Sequence, residues 1–435
     1  MKVFGSLIAF MLLVAAPLRA EIDIAEVTSP GGVTAWLVQE ESIPFVALEL
    51  RFKGGASLDL PGKRGATNLM VGLLEEGAGD LDSRAFSERA ESLAASFDFD
   101  IGDDAVSISA RFLVENQDEA LALLRDAITQ PRFDQDAIDR VKAQIVSVVR
   151  SDAQDPDNLV GVAFDTMVFG DHPYGSAIEG TEDSIAALTR DDLIEAHKGA
   201  LARDRVYVGA AGDISAEELA VVLDKLLVDL PETGTLQAAA VDVSTEAGVT
   251  VVPFDVPQSV AIFGHEGIAR DDPDFFPAFV LNEILGGGGF EARLMEEVRE
   301  KRGLTYGVYS YLVPKDHASL YLGRVSSAND RIAEAIKVIR DEWSKMAETG
   351  VTEEELEVAK TYLTGAYPLR FDGNGPIANI LVGMQMDDLP VDYVNTRNAK
   401  IEAITLDDIK RVAARVLKPE ALHFVVVGQP EGLDS

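Results

Sequence analysis

Residues Ile185 to Leu193, IAALTRDDL, return as Ile401 to Ile409, IEAITLDDI, with no gap at an offset of 216 positions. The same offset pairs Leu201 with Leu417 and Gly212 with Gly428. Each copy places a threonine and then two aspartates at the head of an apolar helical pattern. The hydroxyls of Thr189 and Thr405 read as N-caps for otherwise unbonded N–H groups, and the acids suit the positive end of the helix dipole. Each copy then enters a strand-like segment, Val206 to Gly212 and His423 to Gly428. Two matches at one ungapped spacing identify a tandem duplication with halves of roughly 215 residues.

The length agrees, since 435 residues exceed what one hydrophobic core usually organises. Pro231, Glu232, Thr233 and Gly234, followed by a stretch of small residues, read as a linker. The expected organisation is therefore a first domain over 21–230, a linker over 231–248 and a second domain over 249–435. Val46 to Phe52 and Ala105 to Phe112 alternate as half-buried strands do. Ser83 to Ser96, Asn116 to Gln130 and Ala137 to Arg150 carry helical periodicity. Hairpin-compatible strands mixed with long helices predict an α+β fold in each half. The two domains are expected to face each other across a cleft hinged between about Leu230 and Gly248.

Residues 1–20 read as a secretory signal peptide. Lys2 supplies the positive start, Val3 to Ala16 the apolar run, and Leu18-Arg19-Ala20 the cleavage site. That run is too short for the roughly 20 residues a membrane helix needs, and no later segment is long and apolar enough. No membrane span is therefore expected after cleavage. The absence of cysteine excludes a lipid-anchored lipoprotein, a disulfide framework and a cysteine nucleophile. These features predict export to the periplasm of a Gram-negative bacterium. A net charge of −36 disfavours nucleic acid and anionic lipid as partners, and is compatible with basic peptides or a subunit with a basic face.

The stretch Leu281 to Tyr311, LNEILGGGGFEARLMEEVREKRGLTYGVYSY, has a composition unlike ordinary core. Gly286, Gly287, Gly288 and Gly289 would each cost about 0.5–1 kcal/mol relative to alanine if they only continued a helix. Phe290, Leu294 and Val298 follow at helical spacing, the run stops at Arg302-Gly303, and Thr305 to Leu312 reads as a strand. The pattern resembles the C-terminal half of the M16 (pitrilysin and mitochondrial-processing-peptidase-like) zinc peptidases. The resemblance covers essentially the whole mature chain. It implies two similar domains, each a mixed, largely antiparallel sheet backed by helices, together forming half of a clamshell. It also implies that Arg299 and Tyr306 hold the substrate backbone near the scissile bond, with Gly286 to Gly289 bordering the substrate chamber.

The same resemblance implies H-x-x-E-H on a helix of the first half, two imidazoles for zinc and a glutamate as general base. The corresponding stretch here is Gly65 to Gly77, GATNLMVGLLEEG. It places Asn68 and Gly72 at the histidine positions and Val71 at the glutamate, and the Val141 to Ser151 stretch, where a further carboxylate ligand is expected, contains no acid. Glu75 and Glu76 read as a solvated helix end. The five histidines, His172, His197, His265, His317 and His423, form no i, i+3 or i, i+4 pair. His172, within FGDHPYG, reads as structural and His265 as a strand-end residue. There is no G-x-S-x-G elbow, P-loop or dinucleotide fingerprint. No metal or other cofactor is therefore expected on this chain. The resemblance implies a non-metal subunit, paired in a heterodimer with an M16 chain that carries an intact H-x-x-E-H and the zinc, and acting on a peptide substrate. The alternative is a peptide-binding or scaffold protein with no catalytic role.

Overall fold

The computed structural model describes residues 22–289 and 291–433, so residues 1–20, expected to be a signal peptide, and Phe290 lie outside the described residues. The first half contributes β1 (Ala25–Thr28), β2 (Thr34–Gln39), β3 (Phe45–Lys53), the two-residue pair β4 (Gly77–Ala78) and β5 (Leu81–Asp82), β6 (Ser96–Ile101), β7 (Ala105–Leu113) and β8 (Val206–Gly212). The second half contributes β9 (Gly248–Pro253), β10 (Gln258–Glu266), β11 (Val308–Pro314), β12 (Ser319–Ala328) and β13 (His423–Gly428). The main sheets run β1-β2-β8-β3-β7-β6 and β11-β12-β10-β13-β9. Read from the opposite end, the second order repeats the first without β1. In each sheet only one pairing is parallel, β2 with β8 and β9 with β13. The duplication in the sequence is a duplication of topology.

The repeated segments fold alike. Thr189 heads the helix Arg190–Ala200 and Thr405 the helix Leu406–Val416, each in a reciprocal capping box with Asp192 or Asp408. The strands that follow, β8 and β13, have the bounds the sequence predicts. One helix is shorter than its periodicity suggests. Ser83–Ser92 stops because Ala94 takes a φ of 49° and β6 begins at Ser96.

Each sheet backs its own helices on one face, burying Leu48, Leu50, Phe52 and Phe112 in the first half and Phe263, Trp343 and Phe424 in the second. The other face of each sheet is covered by a helix from the opposite half. The helix Pro156–Phe169 sets Val160, Phe164 and Val168 against Val260, Ile262, Leu320, Leu322, Val425 and Val427 of the second sheet. In exchange, the helix Asn374–Met386 lays Ala378 on Ala47 and Ala211 of the first sheet, and Leu381 and Met384 beside Trp36. This contact is close: a Cβ at Gly209 would stand 2.3 Å from the Ala378 carbonyl oxygen.

Two domains of like fold are present, each with its own complete sheet, but the expected hinged cleft between them is corrected by this exchange, because one face of each sheet is covered by a helix of the other half. Two hairpin turns add to the junction. The Asp104 carboxylate accepts from the Tyr174 hydroxyl and, at 3.2 Å, from the Asp316 N–H, while Lys315 pairs with Asp103. The segment between Leu230 and Gly248 is a bonded strap rather than a free linker. Thr235 N–H donates to Gly199 at 3.0 Å, Val241 N–H donates to His317 at 2.9 Å, and His172 bonds the Ala239 carbonyl at 3.0 Å. No helix among the described residues is long and apolar enough to cross a membrane.

Candidate functional site

The helix Phe275–Gly286 runs directly into the glycine stretch, which divides into two parts. Gly286 and Gly287 are buried. A Cβ on Gly286 would meet Ser310 Oγ at 2.3 Å and Ser310 N at 2.7 Å, and one on Gly287 would meet the Glu283 carboxylate at 2.5 Å. Gly288 and Gly289 have nothing within 4 Å of such an atom. None of the four has a positive φ, so Gly286 is required by close packing against β11, Gly287 sits against Glu283 of its own helix, and the second pair faces open space.

Beyond the glycines the chain winds as a π-helix over Met295–Glu300, with Lys301 N–H reaching the Glu296 carbonyl at 2.9 Å. The spacing of Leu294 and Val298 predicts a helix but not this winding, which is rare and often found where a helix serves a site. Arg299 sits in its last turn, its Nε 3.5 Å from Glu300. Gly303 then takes a φ of 62° and ends the helix as a left-handed C-terminal glycine does.

Thr305 is not yet in a strand, and the expected strand start at Thr305 is corrected to Val308. The reason is local. Ser327 Oγ donates to the Leu304 carbonyl at 2.5 Å, and Thr305 Oγ1 donates to the Ser326 carbonyl at 2.6 Å and accepts from Gly307 N–H at 3.1 Å. Hydroxyls therefore tie residues 304–307 into a turn. Tyr306 stands at its crest, 87% exposed. The segment thus presents a guanidinium, a phenol and two unobstructed glycines on one connected stretch of chain.

The residues aligned with the metal motif do not suit zinc. They lie at the end of the short helix Ala66–Val71, where Asn68 is half-buried, Val71 is 3% exposed in the first core, and Gly72 is at the surface. A Cβ on Gly72 would touch Val141 Cγ1 at 3.4 Å, so the helix Gln135–Asp152 faces this point with valine. An amide, an alkyl group and a bare backbone offer no set of imidazole and carboxylate donors. Glu76 is paired to Arg140 instead. Among the described residues no three His, Cys, Asp or Glu side chains are arranged to hold a metal ion.

Two further polar centres are buried. His265 lies at the end of β10, as the sequence predicts, and is fully buried: its Nε2 accepts from Trp343 Nε1–H at 3.0 Å and its Nδ1 bonds the Glu266 carbonyl at 2.7 Å. Burial pushes its pKa down to about 4, and the two bonds fix one neutral tautomer. The second centre is the inter-half junction, where the His172 and His317 rings lie 6.2 Å apart although far apart in sequence. Asp165 on the first crossing helix belongs to it, and burial raises its pKa to about 6 against the pull of Lys315. The FGDHPYG segment signals a structured loop, but nothing in it names a partner in the other half.

Comparison with known proteins agrees with the duplicated fold. Residues 35–182 match the family model described as insulinase (peptidase family M16), and residues 187–363 match that described as the peptidase M16 inactive domain. A Helicobacter pylori protein named "non-peptidase homolog YmxG" is 27% identical over 398 residues, covering 90% of this chain and 91% of the relative. A Streptomyces coelicolor protein named as an uncharacterized zinc protease is 26% identical over 410 residues, covering 91% of this chain and 87% of the relative. A crystal structure titled as a peptidase M16 inactive domain from Pseudomonas fluorescens superimposes with a TM-score of 0.89 at 28% identity, over 95% of this chain and 99% of that one. The duplicated α+β halves, the glycine stretch ahead of Arg299 and Tyr306, and these matches place the chain in the M16 peptidase family.

Proposed function

We propose that this chain is the non-metal subunit of an exported, heteromeric M16 peptidase of the periplasm, supplying substrate and transition-state contacts to a zinc-bearing partner. The observation that carries this reading is the contrast between the two halves: the metal motif has lost every donor, while Arg299, Tyr306 and the open Gly288-Gly289 are retained. Such a chain has no means of activating water itself but keeps the means of holding a peptide. Arg299 donates charge-assisted hydrogen bonds to a substrate carbonyl, each worth about 1.5–3 kcal/mol. The Tyr306 hydroxyl donates to the oxygen on which negative charge develops during peptide hydrolysis. The bare edge at Gly288-Gly289 lets a peptide backbone approach closely. The non-peptidase name of the Helicobacter pylori relative supports the absence of catalysis by this chain alone.

The test is coexpression with an exported M16 chain that keeps H-x-x-E-H, with zinc content and peptide cleavage measured for each chain alone and for the pair. Expected are no stoichiometric zinc and no cleavage for this chain alone, and faster cleavage by the pair than by the partner alone. Tightly bound zinc with chelator-sensitive hydrolysis in this chain would overturn the reading. A stable pair with no gain in cleavage would favour a scaffold role.

A further inference from the structure

Leu304, Tyr306, Val308 and Ser310 are alternate residues, and in a continuous strand all four side chains would point to one face. Three of them do point inward. Leu304 and Val308 are packed in the second core, and Ser310 is buried with its Oγ donating to Asn282 Oδ1 at 2.8 Å. Tyr306, between them, is 87% exposed. The pairing of β11 with β12 begins at Val308 opposite Val325. Extended by two residues, the same register would set Gly307 against Ser326 and Tyr306 against Ser327, and would turn the phenol towards the core.

Two hydroxyls stand where that ladder stops. Thr305 Oγ1 donates to the Ser326 carbonyl at 2.6 Å and accepts from Gly307 N–H at 3.1 Å. Ser327 Oγ, itself buried, donates to the Leu304 carbonyl at 2.5 Å. Side chains thus satisfy backbone groups that a longer ladder would pair, and the chain is released to turn outward at Tyr306. The turn is also tied to the helix end before it. Gly303 N–H donates to the Arg299 carbonyl at 2.8 Å, and Leu304 N–H to the Val298 carbonyl at 3.0 Å. Valine at 305 would keep the shape of threonine, lose the donor and favour the strand.

We propose that Thr305 is a positioning residue for Tyr306: its hydroxyl ends the β11–β12 ladder early and presents the phenol to the substrate instead of to the core. The proposal rests on the role given to Tyr306 above and adds the residue that puts it in place. Ser327 is the second pin of the same turn. In the assembled pair, Thr305→Val should lower turnover about ten-fold or more with little change in KM, as a misplaced transition-state donor does. Thr305→Ser keeps the hydroxyl and should restore turnover. In a Tyr306→Phe background, Thr305→Val should cost less than about two-fold more, because the group it positions is already gone. The mature chain alone, labelled with fluorotyrosine, gives a readout that needs no partner. The fluorine resonance that Tyr306→Phe deletes should shift or broaden in Thr305→Val and return in Thr305→Ser. Ser327→Ala, read in the same ways, takes the place of Thr305→Val if that variant does not fold. Native turnover in Thr305→Val, an equal loss with and without the Tyr306 hydroxyl, or an unmoved fluorine resonance would overturn the proposal. A pair that cleaves no peptide in any form strikes the subunit reading alone, and the fluorine readout then decides the positioning.

Discussion

Tyr306 and Arg299 give the sharpest single-residue expectations. Tyr306→Phe removes one hydroxyl from an exposed ring, so fold and pairing should be unchanged while turnover of the assembled pair falls about 10²–10³-fold, with little change in KM. Arg299→Ala should also raise KM, because a ground-state carbonyl uses the same donor; steady-state kinetics of the purified pair checks both. His265 gives a pH expectation. Folded His265 accepts a proton only near pH 4, whereas the unfolded side chain does so near 6.5. Between these values the unfolded chain binds more protons, so His265 costs stability as pH falls through that window, amounting to roughly 3 kcal/mol once pH is below 4. Thermal unfolding from pH 7 to 4 should therefore be less pH-sensitive in His265→Gln than in the native chain. The sequence shows Arg299, Tyr306 and the emptied metal motif directly, because each is a matter of residue type at fixed spacing. It gives His265 only as a strand-end residue, because the burial that keeps it neutral and its bond to Trp343 come from tertiary packing.

Elements are legible where their signals are local. Thr189 and Thr405 announce their helices, and the strands after them end at Gly212 and Gly428 as read. The π winding of Met295–Glu300 and the late start of β11 are not legible, since the first depends on backbone bonding and the second on hydroxyls from β12. The glycine stretch separates packing from presentation. Gly286→Ala must push Ser310 or its backbone aside, so it should cost about 1–3 kcal/mol of stability, as overpacking does. Gly288→Ala meets open space and should unfold as the native chain does. If the glycine edge receives a peptide, Gly288→Ala should nonetheless lower the pair's turnover. Denaturant unfolding measured beside kinetics tells the two glycines apart.

For the whole molecule, the decisive fact is that each half lends a helix to the other. The duplication is readable from two ungapped matches, but the exchange is not: a sequence shows that a helix is apolar and does not show which sheet receives it. Pro156–Phe169 buries Val160 and Phe164 on the second sheet, and Asn374–Met386 buries Ala378, Leu381 and Met384 on the first. Fully burying a side chain of this kind contributes roughly 1.5–3 kcal/mol, so losing several at once exceeds much of the 5–15 kcal/mol that holds a typical domain folded. Residues 22–230 and 248–433 expressed separately should therefore be unfolded or aggregated, even though each contains a full set of strands. Coexpressed, the same fragments should assemble. The strap offers a milder version of the experiment, since Leu236 is 92% exposed while the residues around it are bonded to both halves. A single cut there should leave a complex with native-like circular dichroism that separates only in denaturant. Two fragments that fold independently, or fall apart after the cut in native buffer, would show that the exchanged helices do not hold the halves together.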